Sequence, residues 1–297
     1  MTFQYLLHEA AKTLEQRNVE DPSKEAGLLL SWLLGKDLGF IYTHPDFILE
    51  DKMIDDFLTA VERRGHHEPF AYITNECEFL SLSFEVNPYV LIPRPDTELL
   101  AEAALVALNQ GFPLFRQPMF TLPHKKTYRV LDIGTGSGCL AISLAKNADF
   151  INVDAVDISA KALETAERNA VRHHVEKQVN FIQADFLEDS FLLSAEYDLV
   201  ISNPPYIPLK DIPTLMSSVR DFEPHSALVG GEDGLVFYRA LAEKVEFLLA
   251  PQGILVVECG FDQALQIQAL FAQKDMETLL LKDLSAINRV VVARKKV

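Results

Sequence analysis

The sequence predicts an α/β protein. A mostly parallel, doubly wound, Rossmann-like sheet of seven strands ends in an antiparallel hairpin, behind a small N-terminal all-helical domain. Three observations carry this reading. From Thr127 onward, short β-rich runs alternate with helical patterns. The last two strand patterns are joined by too few residues for a crossover helix, so that pair must be antiparallel. Residues 1 to about 64 read as helix throughout.

The elements follow in order. In the helical domain, residues 1–65, Ser23 to Leu34 is a helix started by Asp21-Pro22. Its Leu28, Leu29, Leu30, Leu33 and Leu34 are apolar nearly all round, which suits the centre of a small bundle. Asp51 to Arg64 sets Met53, Ile54, Phe57, Leu58 and Val61 at helical period, and Gly65 stops it. No basic stripe marks this domain as a nucleic-acid reader, so it reads as a helical cap or a partner-docking module. Residues 66–95 form a β-hairpin connector: Phe79 to Val86 is one strand, Asn87-Pro88 a turn, and Tyr89 to Ile92 a second strand.

Residues 96–297 make the third part. It opens with a helix, Asp96 to Leu108, and a surface loop, Asn109 to Lys126, that holds three prolines and Gly111. Strands follow at Arg129 to Ile133, Asn152 to Val156, Val179 to Gln183, Tyr197 to Ser202, Ile254 to Glu258, Thr278 to Lys282 and Arg289 to Ala293. The helices between them are Cys139 to Lys146, Ala160 to His173, Leu235 to Leu249 and Gln263 to Phe271.

Bulk properties narrow the chemistry. The 297 residues are 48% hydrophobic, enough for one large core and a smaller one. The longest apolar block, Gly27 to Gly35, is too short to span a bilayer, and Met1 to Ala11 lacks the features of a signal peptide. Three scattered cysteines (Cys77, Cys139, Cys259) point to a reducing cytoplasm. The histidine doublets His66-His67 and His173-His174 make poor metal pairs, because neighbours on a helix point about 100° apart. No metal is expected. With 43 acids against 27 bases the net charge is −16, which disfavours a nucleic-acid partner and favours a basic protein and a cationic cofactor.

Val130-Leu131-Asp132-Ile133 runs into Gly134-Thr135-Gly136-Ser137-Gly138 and then a helix. Glycines at 134, 136 and 138 permit a sharp turn and a close ligand approach. A nicotinamide fingerprint would space them G-x-G-x-x-G and seat a pyrophosphate. Here the spacing is G-x-G-x-G, and the acid Asp132 precedes it. That suits a cation such as the sulfonium of S-adenosyl-L-methionine. Asp157 closes the next strand, where an acid can accept from ribose hydroxyls. Asp185-Phe186 follows the third strand.

Asn203-Pro204-Pro205-Tyr206 follows the fourth strand, beyond its carboxyl end, where open α/β sheets hold ligands. A conjugated amide or amino nitrogen is a weak nucleophile. The Asn203 side-chain oxygen and the Pro204 carbonyl are two acceptors suited to its two hydrogens, and they favour the charge that grows during methyl transfer. The fixed φ of Pro204 and Pro205 holds the backbone in place. Tyr206 can stack on a planar acceptor, and Asn203 lies close enough to touch both cofactor and acceptor.

The pattern resembles the class I S-adenosylmethionine-dependent methyltransferase fold. Within it, several segments closely resemble the HemK/PrmC peptide chain release factor glutamine methyltransferases. These are His67-Glu68-Pro69-Phe70-Ala71-Tyr72-Ile73, Glu78-Phe79, Val90-Leu91-Ile92-Pro93-Arg94-Pro95-Asp96-Thr97-Glu98, the tetrapeptide with Ile207-Pro208, Arg220-Asp221-Phe222-Glu223-Pro224, and Glu258 with Gly260 and Gln263. The resemblance implies methylation of the side-chain amide nitrogen of the glutamine in the Gly-Gly-Gln motif of class 1 release factors. It puts Asp185 and Phe186 beside the adenine, implies a part for Arg94 in binding the substrate, and gives the helical domain a part in binding the factor. The chain departs from that pattern at Asn75, Ser81 and Ser285-Ala286, where glycine is usual. Asn-Pro-Pro-Tyr also occurs in nucleic-acid amino-methyltransferases, the alternative reading; a non-catalytic cofactor-binding module is a second.

Overall fold

A computed structural model describes residues 1–108, 119–188 and 196–296. The chain divides into two compact units.

The first unit comprises Met1–Glu76 and Met216–Phe222. It holds α1 (Phe3–Gln16), α2 (Pro22–Leu34), α3 (Leu38–Thr43), α4 (Asp51–Gly65) and α5 (Phe70–Thr74). Local chemistry sets the ends. Thr2 accepts from the Tyr5 N–H and Asp37 from the Phe40 N–H, capping α1 and α3, and Gly35 closes α2 at φ 60°. Phe3, Leu6, Leu14, Leu29, Leu30 and Phe57 are fully buried in a core of their own. Trp32, the chain's single tryptophan, stands on α2 and is 39% exposed. This unit runs past residue 65, because α5 sends Ile73 into the same core. α5 was not foreseen: five residues are too few to show a helical period.

The second unit comprises Cys77–Leu215 and Glu223–Val297. The hairpin falls earlier than its sequence reading. β1 (Glu76–Phe79) and β2 (Leu82–Glu85) are joined through Leu80 and Ser81, at φ 48° and 59°. Both turn residues are left-handed, a primed-turn geometry usually announced by Asn-Gly, and neither residue type advertises it. Tyr89 to Ile92 is not a strand. Asn87 accepts the Tyr89 N–H on its side chain and the Val90 N–H on its carbonyl, which coils the segment.

After α6 (Pro95–Ala107), residues 109–118 of the expected surface loop lie outside the described residues. Its remainder is not all surface: Leu122 is buried, and its N–H reaches the Ala107 carbonyl. The sheet is built from β3 (Tyr128–Ile133), β4 (Ile151–Asp157), β5 (Val179–Gln183), β6 (Tyr197–Ser202), β7 (Leu249–Glu258), β8 (Met276–Lys282) and β9 (Asn288–Lys295). Between them run α7 (Cys139–Asn147), α8 (Ala160–Arg172), α9 (Ser217–Arg220, part of the helical unit), α10 (Val236–Leu248) and α11 (Ala264–Ala272). Short 3-10 turns at Leu209–Thr214 and His225–Ala227, like α9, occupy what the sequence showed only as a loop.

The described strands order as β5-β4-β3-β6-β7-β9-β8, with β9 antiparallel to both β7 and β8 and the other pairs parallel. Alternation along β3 shows why helices cover both faces. Val130 packs into one core with α6 and α7, while Leu131 and Ile133 pack into another with α10 and α11. α7 buries seven successive residues, Cys139 to Ala145. Each fully buried aliphatic side chain contributes roughly 1.5–3 kcal/mol. The order in which strands are added to the sheet reverses between β3 and β6, and Ile133 is in register with both Val156 and Ser202. The carboxyl ends of β3, β4 and β6 therefore open onto one crevice.

Candidate active site

The glycine turn leaves β3 suspended from β4: the N–H groups of Gly134 and Thr135 both donate to the Val156 carbonyl, at 2.8 and 2.9 Å. Gly136 has φ 56°, and a Cβ there would meet open space. Gly138 differs, since a Cβ would lie 2.8 Å from Ile142 Cδ1 and 3.1 Å from Ala166 Cβ. The first glycine serves the cavity; the last serves helix packing.

Asp157 holds the turn from the other side. Its Oδ2 accepts the Gly136 N–H and its Oδ1 the Ser159 N–H, each at 2.9 Å. Burial raises its pKa, and the backbone donors pull it partly back. Ser159, not Asp157, caps α8 by accepting from the Ala162 N–H. Asp132 lies beneath the turn, fully buried. Its Oδ2 accepts from the Thr135 hydroxyl at 2.6 Å and from the Ala141 N–H at 3.3 Å, while Oδ1 has no partner among the described residues. Burial pushes it up to about 7. Thr135 and Ser137 are buried with it.

A cavity of about 300 Å³ opens above the turn. Of the residues singled out in the sequence, Gly134, Gly136, Asp157, Asp185, Phe186, Asn203 and Pro205 line it. Asp132, Thr135, Ser137, Gly138, Pro204, Tyr206 and Arg94 do not. Two further stretches line it, Tyr89 to Leu91 and Pro224 to Val229 with gaps; the sequence carried Val90, Leu91 and Pro224 only in runs that bear the family resemblance and gave none of them a site role. Asp185 Oδ1 accepts the Leu187 N–H, turning the chain so that Phe186 packs inward. Lys244 lies 4.9 Å over the Phe186 ring and donates to the Phe186 and Glu188 carbonyls, fixing that turn.

Asn203 follows β6 directly. Its Nδ2 donates to Thr97 Oγ1 at 3.1 Å, and among the described residues no donor reaches its Oδ1 or the Pro204 carbonyl. The backbone that follows is clamped from behind. A Cβ on Gly230 would lie 2.7 Å from the Pro205 carbonyl oxygen, and Gln263 Nε2 donates to the Tyr206 carbonyl at 2.9 Å. The Tyr206 hydroxyl donates to Glu258 Oε1 at 3.4 Å, and burial and that nearby carboxylate hold its pKa well above the usual tyrosine range. Arg94 is engaged by the buried Glu223. Thr97, Glu223, Glu258 and Gln263 were visible in the sequence only inside runs that carry the family resemblance; no pattern of their own marks them.

Two comparisons decide the family. The chain is 36% identical over 290 residues to the release factor glutamine methyltransferase of Clostridium acetobutylicum, covering 97% of this chain and 96% of that one. It is 37% identical over 296 residues to the enzyme of the same name from Koribacter versatilis, covering 99% of each. The chain belongs to the release factor glutamine methyltransferase family. The PrmC N-terminal domain family matches residues 5–74 and the Methyltransferase small domain family residues 117–217. A crystal structure of a methyltransferase from Pyrococcus furiosus shares the fold, with TM-score 0.51 at 17% identity over 74% of this chain and 91% of that one.

The methyl donor implied by the matching methyltransferase families is S-adenosylmethionine. The cavity fits it. Phe186, Ile133 and Val156 offer apolar walls for a purine, and the Asp157 and Asp185 carboxylates stand at its polar side. Among the described residues no helix is long and apolar enough to cross a membrane, and no three His, Cys, Asp or Glu side chains gather as a metal site.

Proposed function

We propose that the chain transfers a methyl group from S-adenosylmethionine to the side-chain amide nitrogen of the glutamine in the Gly-Gly-Gln motif of class 1 peptide chain release factors. The orientation of Asn203 carries this reading: its Nδ2 is taken by Thr97, so its oxygen is the group left for an acceptor. The named relatives supply the substrate class.

The cofactor supplies a methyl group on a positive sulfur, ready for in-line attack. Asn203 Oδ1 and the Pro204 carbonyl accept the two N–H hydrogens of the glutamine amide. That turns its lone pair toward the methyl carbon and stabilises the charge that grows on nitrogen. As the N–C bond forms, the C–S bond breaks and its electron pair stays on sulfur. The nitrogen then loses one proton, so no base is needed before transfer. Asp157 receives the ribose hydroxyls, Asp185 and Phe186 the adenine, and Tyr206 flanks the acceptor. Arg94, held by Glu223, braces the segment before α6. The helical unit docks the factor, and the reaction belongs to the cytoplasm.

Labelled S-adenosylmethionine, offered with a release factor, a Gly-Gly-Ala variant of it, DNA or RNA, tests the substrate. Label is expected only in the intact factor; label in nucleic acid instead favours the amino-methyltransferase alternative and overturns this reading. Asn203→Ala is expected to keep cofactor binding, read by calorimetry, while kcat falls about 10²- to 10³-fold. Transfer at the parent rate would refute the role given to Asn203.

A further inference from the structure

Two carbonyl oxygens that face one another repel unless a donor stands between them. Behind the strap Asn203 to Ile207 that donor is a single side chain. We infer that Gln263 is a positioning residue for methyl transfer, whose amide locks the backbone of the tetrapeptide to the loop that walls the cofactor cavity. This rests on the proposed roles of Asn203 Oδ1 and the Pro204 carbonyl as acceptors.

Three hydrogen bonds define the amide. Its Oε1 accepts the Gly260 N–H at 3.0 Å, while its Nε2 donates to the Tyr206 carbonyl at 2.9 Å and to the Gly234 carbonyl at 3.3 Å. An amide has one accepting end and one end with two hydrogens, so these partners admit a single orientation. The Gln263 N–H donates back to the Gly260 carbonyl at 3.1 Å, so the side chain starts from a closed turn. Gln263 stands at the N-cap of α11, yet its side chain makes no cap bond to that helix. Shorter polar residues serve best as caps; the longer glutamine reaches away from the helix instead.

The neighbours are cut to fit it. A Cβ on Gly234 would overlap both Gln263 Nε2 and the Tyr206 carbonyl oxygen, and one on Gly260 would lie 2.8 Å from Gln263 Oε1. Gln263 is 5% exposed, so water does not readily replace its NH2. What it joins gives the clamp its consequence. The Ile207 N–H donates to the Leu228 carbonyl and the Gly230 N–H to the Ile207 carbonyl, each at 2.9 Å, so strap and loop run side by side. Ala227 and Val229 of that loop line the cofactor cavity together with Asn203 and Pro205. The methyl group arrives from the cavity and the acceptor nitrogen is held by the strap, so this junction sets their spacing. A misplacement of about 1 Å costs on the order of 10²-fold in rate.

The test uses the full chain with two variants. Gln263→Met keeps the length without the polar atoms. Gln263→Glu keeps the shape but loses the donors when ionised, and is assayed at about pH 9, the top of the range that burial gives a glutamate. For Gln263→Met, kcat should fall about 10- to 100-fold, while KM for the release factor and the cofactor dissociation constant stay within about threefold. Gln263→Glu should fall at least as far, because an oxygen then faces the two carbonyls. Hydrogen exchange reads the clamp in the parent without turnover. Both hydrogens of the buried Gln263 NH2 are bonded, so their signals should outlast those of exposed glutamines in deuterated water. Gln263→Glu as active as the parent overturns the inference, as does kcat retained in Gln263→Met, cofactor affinity falling in step with kcat, or an NH2 that exchanges at the surface rate. A parent that leaves the release factor unlabelled refutes the proposed function instead, and the exchange rate still decides the clamp.

Discussion

Burying the Glu258 carboxyl has a cost that titration can read. Desolvation raises it from the ordinary 4.5 to about 7. Asp96 pushes the same way, while Thr97, Arg289 and Tyr206 oppose it; Tyr238 and Cys259 also feel its charge. Between those two values the folded chain binds more protons than the unfolded one, so this residue makes the fold less stable as pH rises from about 4.5 to about 7, by about 3 kcal/mol in all. Above that the penalty is constant. Glutamine does not titrate, so the stability of Glu258→Gln relative to the parent, from denaturant melts, should climb across that window and then level. A flat difference would mean that burial does not raise the Glu258 carboxyl above its ordinary range. The tetrapeptide and the glycine turn were legible because their chemistry lies in consecutive residues. Thr97 was not, because its partner Asn203 is 106 positions away and only the fold brings them together.

At the scale of elements, the departures from glycine share one geometry. Asn75, Ser81 and Ala286 have φ of 56°, 59° and 63°, so each holds the left-handed conformation glycine would adopt freely. Ala286 lies in the turn from β8 to β9, fixed by Asp283, whose Oδ1 accepts from the N–H groups of Ser285 and Ile287. A Cβ in this region costs roughly 1–2 kcal/mol, partly offset by the looser unfolded chain of glycine. Ala286→Gly and Ser81→Gly should each raise stability by about 0.5–1 kcal/mol. Asn75→Gly should be nearly neutral, since asparagine tolerates this region. Loss of stability in the first two would show that the turns are not strained. The same geometry explains which elements could be read. Periodic strands and helices announced themselves, and β5 and β6 match their sequence bounds. The hairpin slipped because Leu80-Ser81 turns without any turn-forming residue type, and α5 and α9 are too short to show a period.

For the whole molecule, the excess of acids is the dominant long-range fact. A net charge of −16 draws a basic partner and repels a nucleic acid, and both effects reach only about 10 Å at 0.1 M salt. KM for a release factor should therefore rise several-fold, on the order of the rate changes that screening brings, between 0.05 and about 0.3 M salt. Cofactor affinity, set inside the cavity, should move far less. A KM indifferent to salt would remove charge from the recognition of the factor. Trp32 adds a practical consequence. The chain's single indole belongs to the helical unit, whereas every residue lining the cavity belongs to the other. Tryptophan emission therefore reads the helical unit while cofactor calorimetry reads the other, and a release factor that shifts that emission would test the docking proposed for the helical unit.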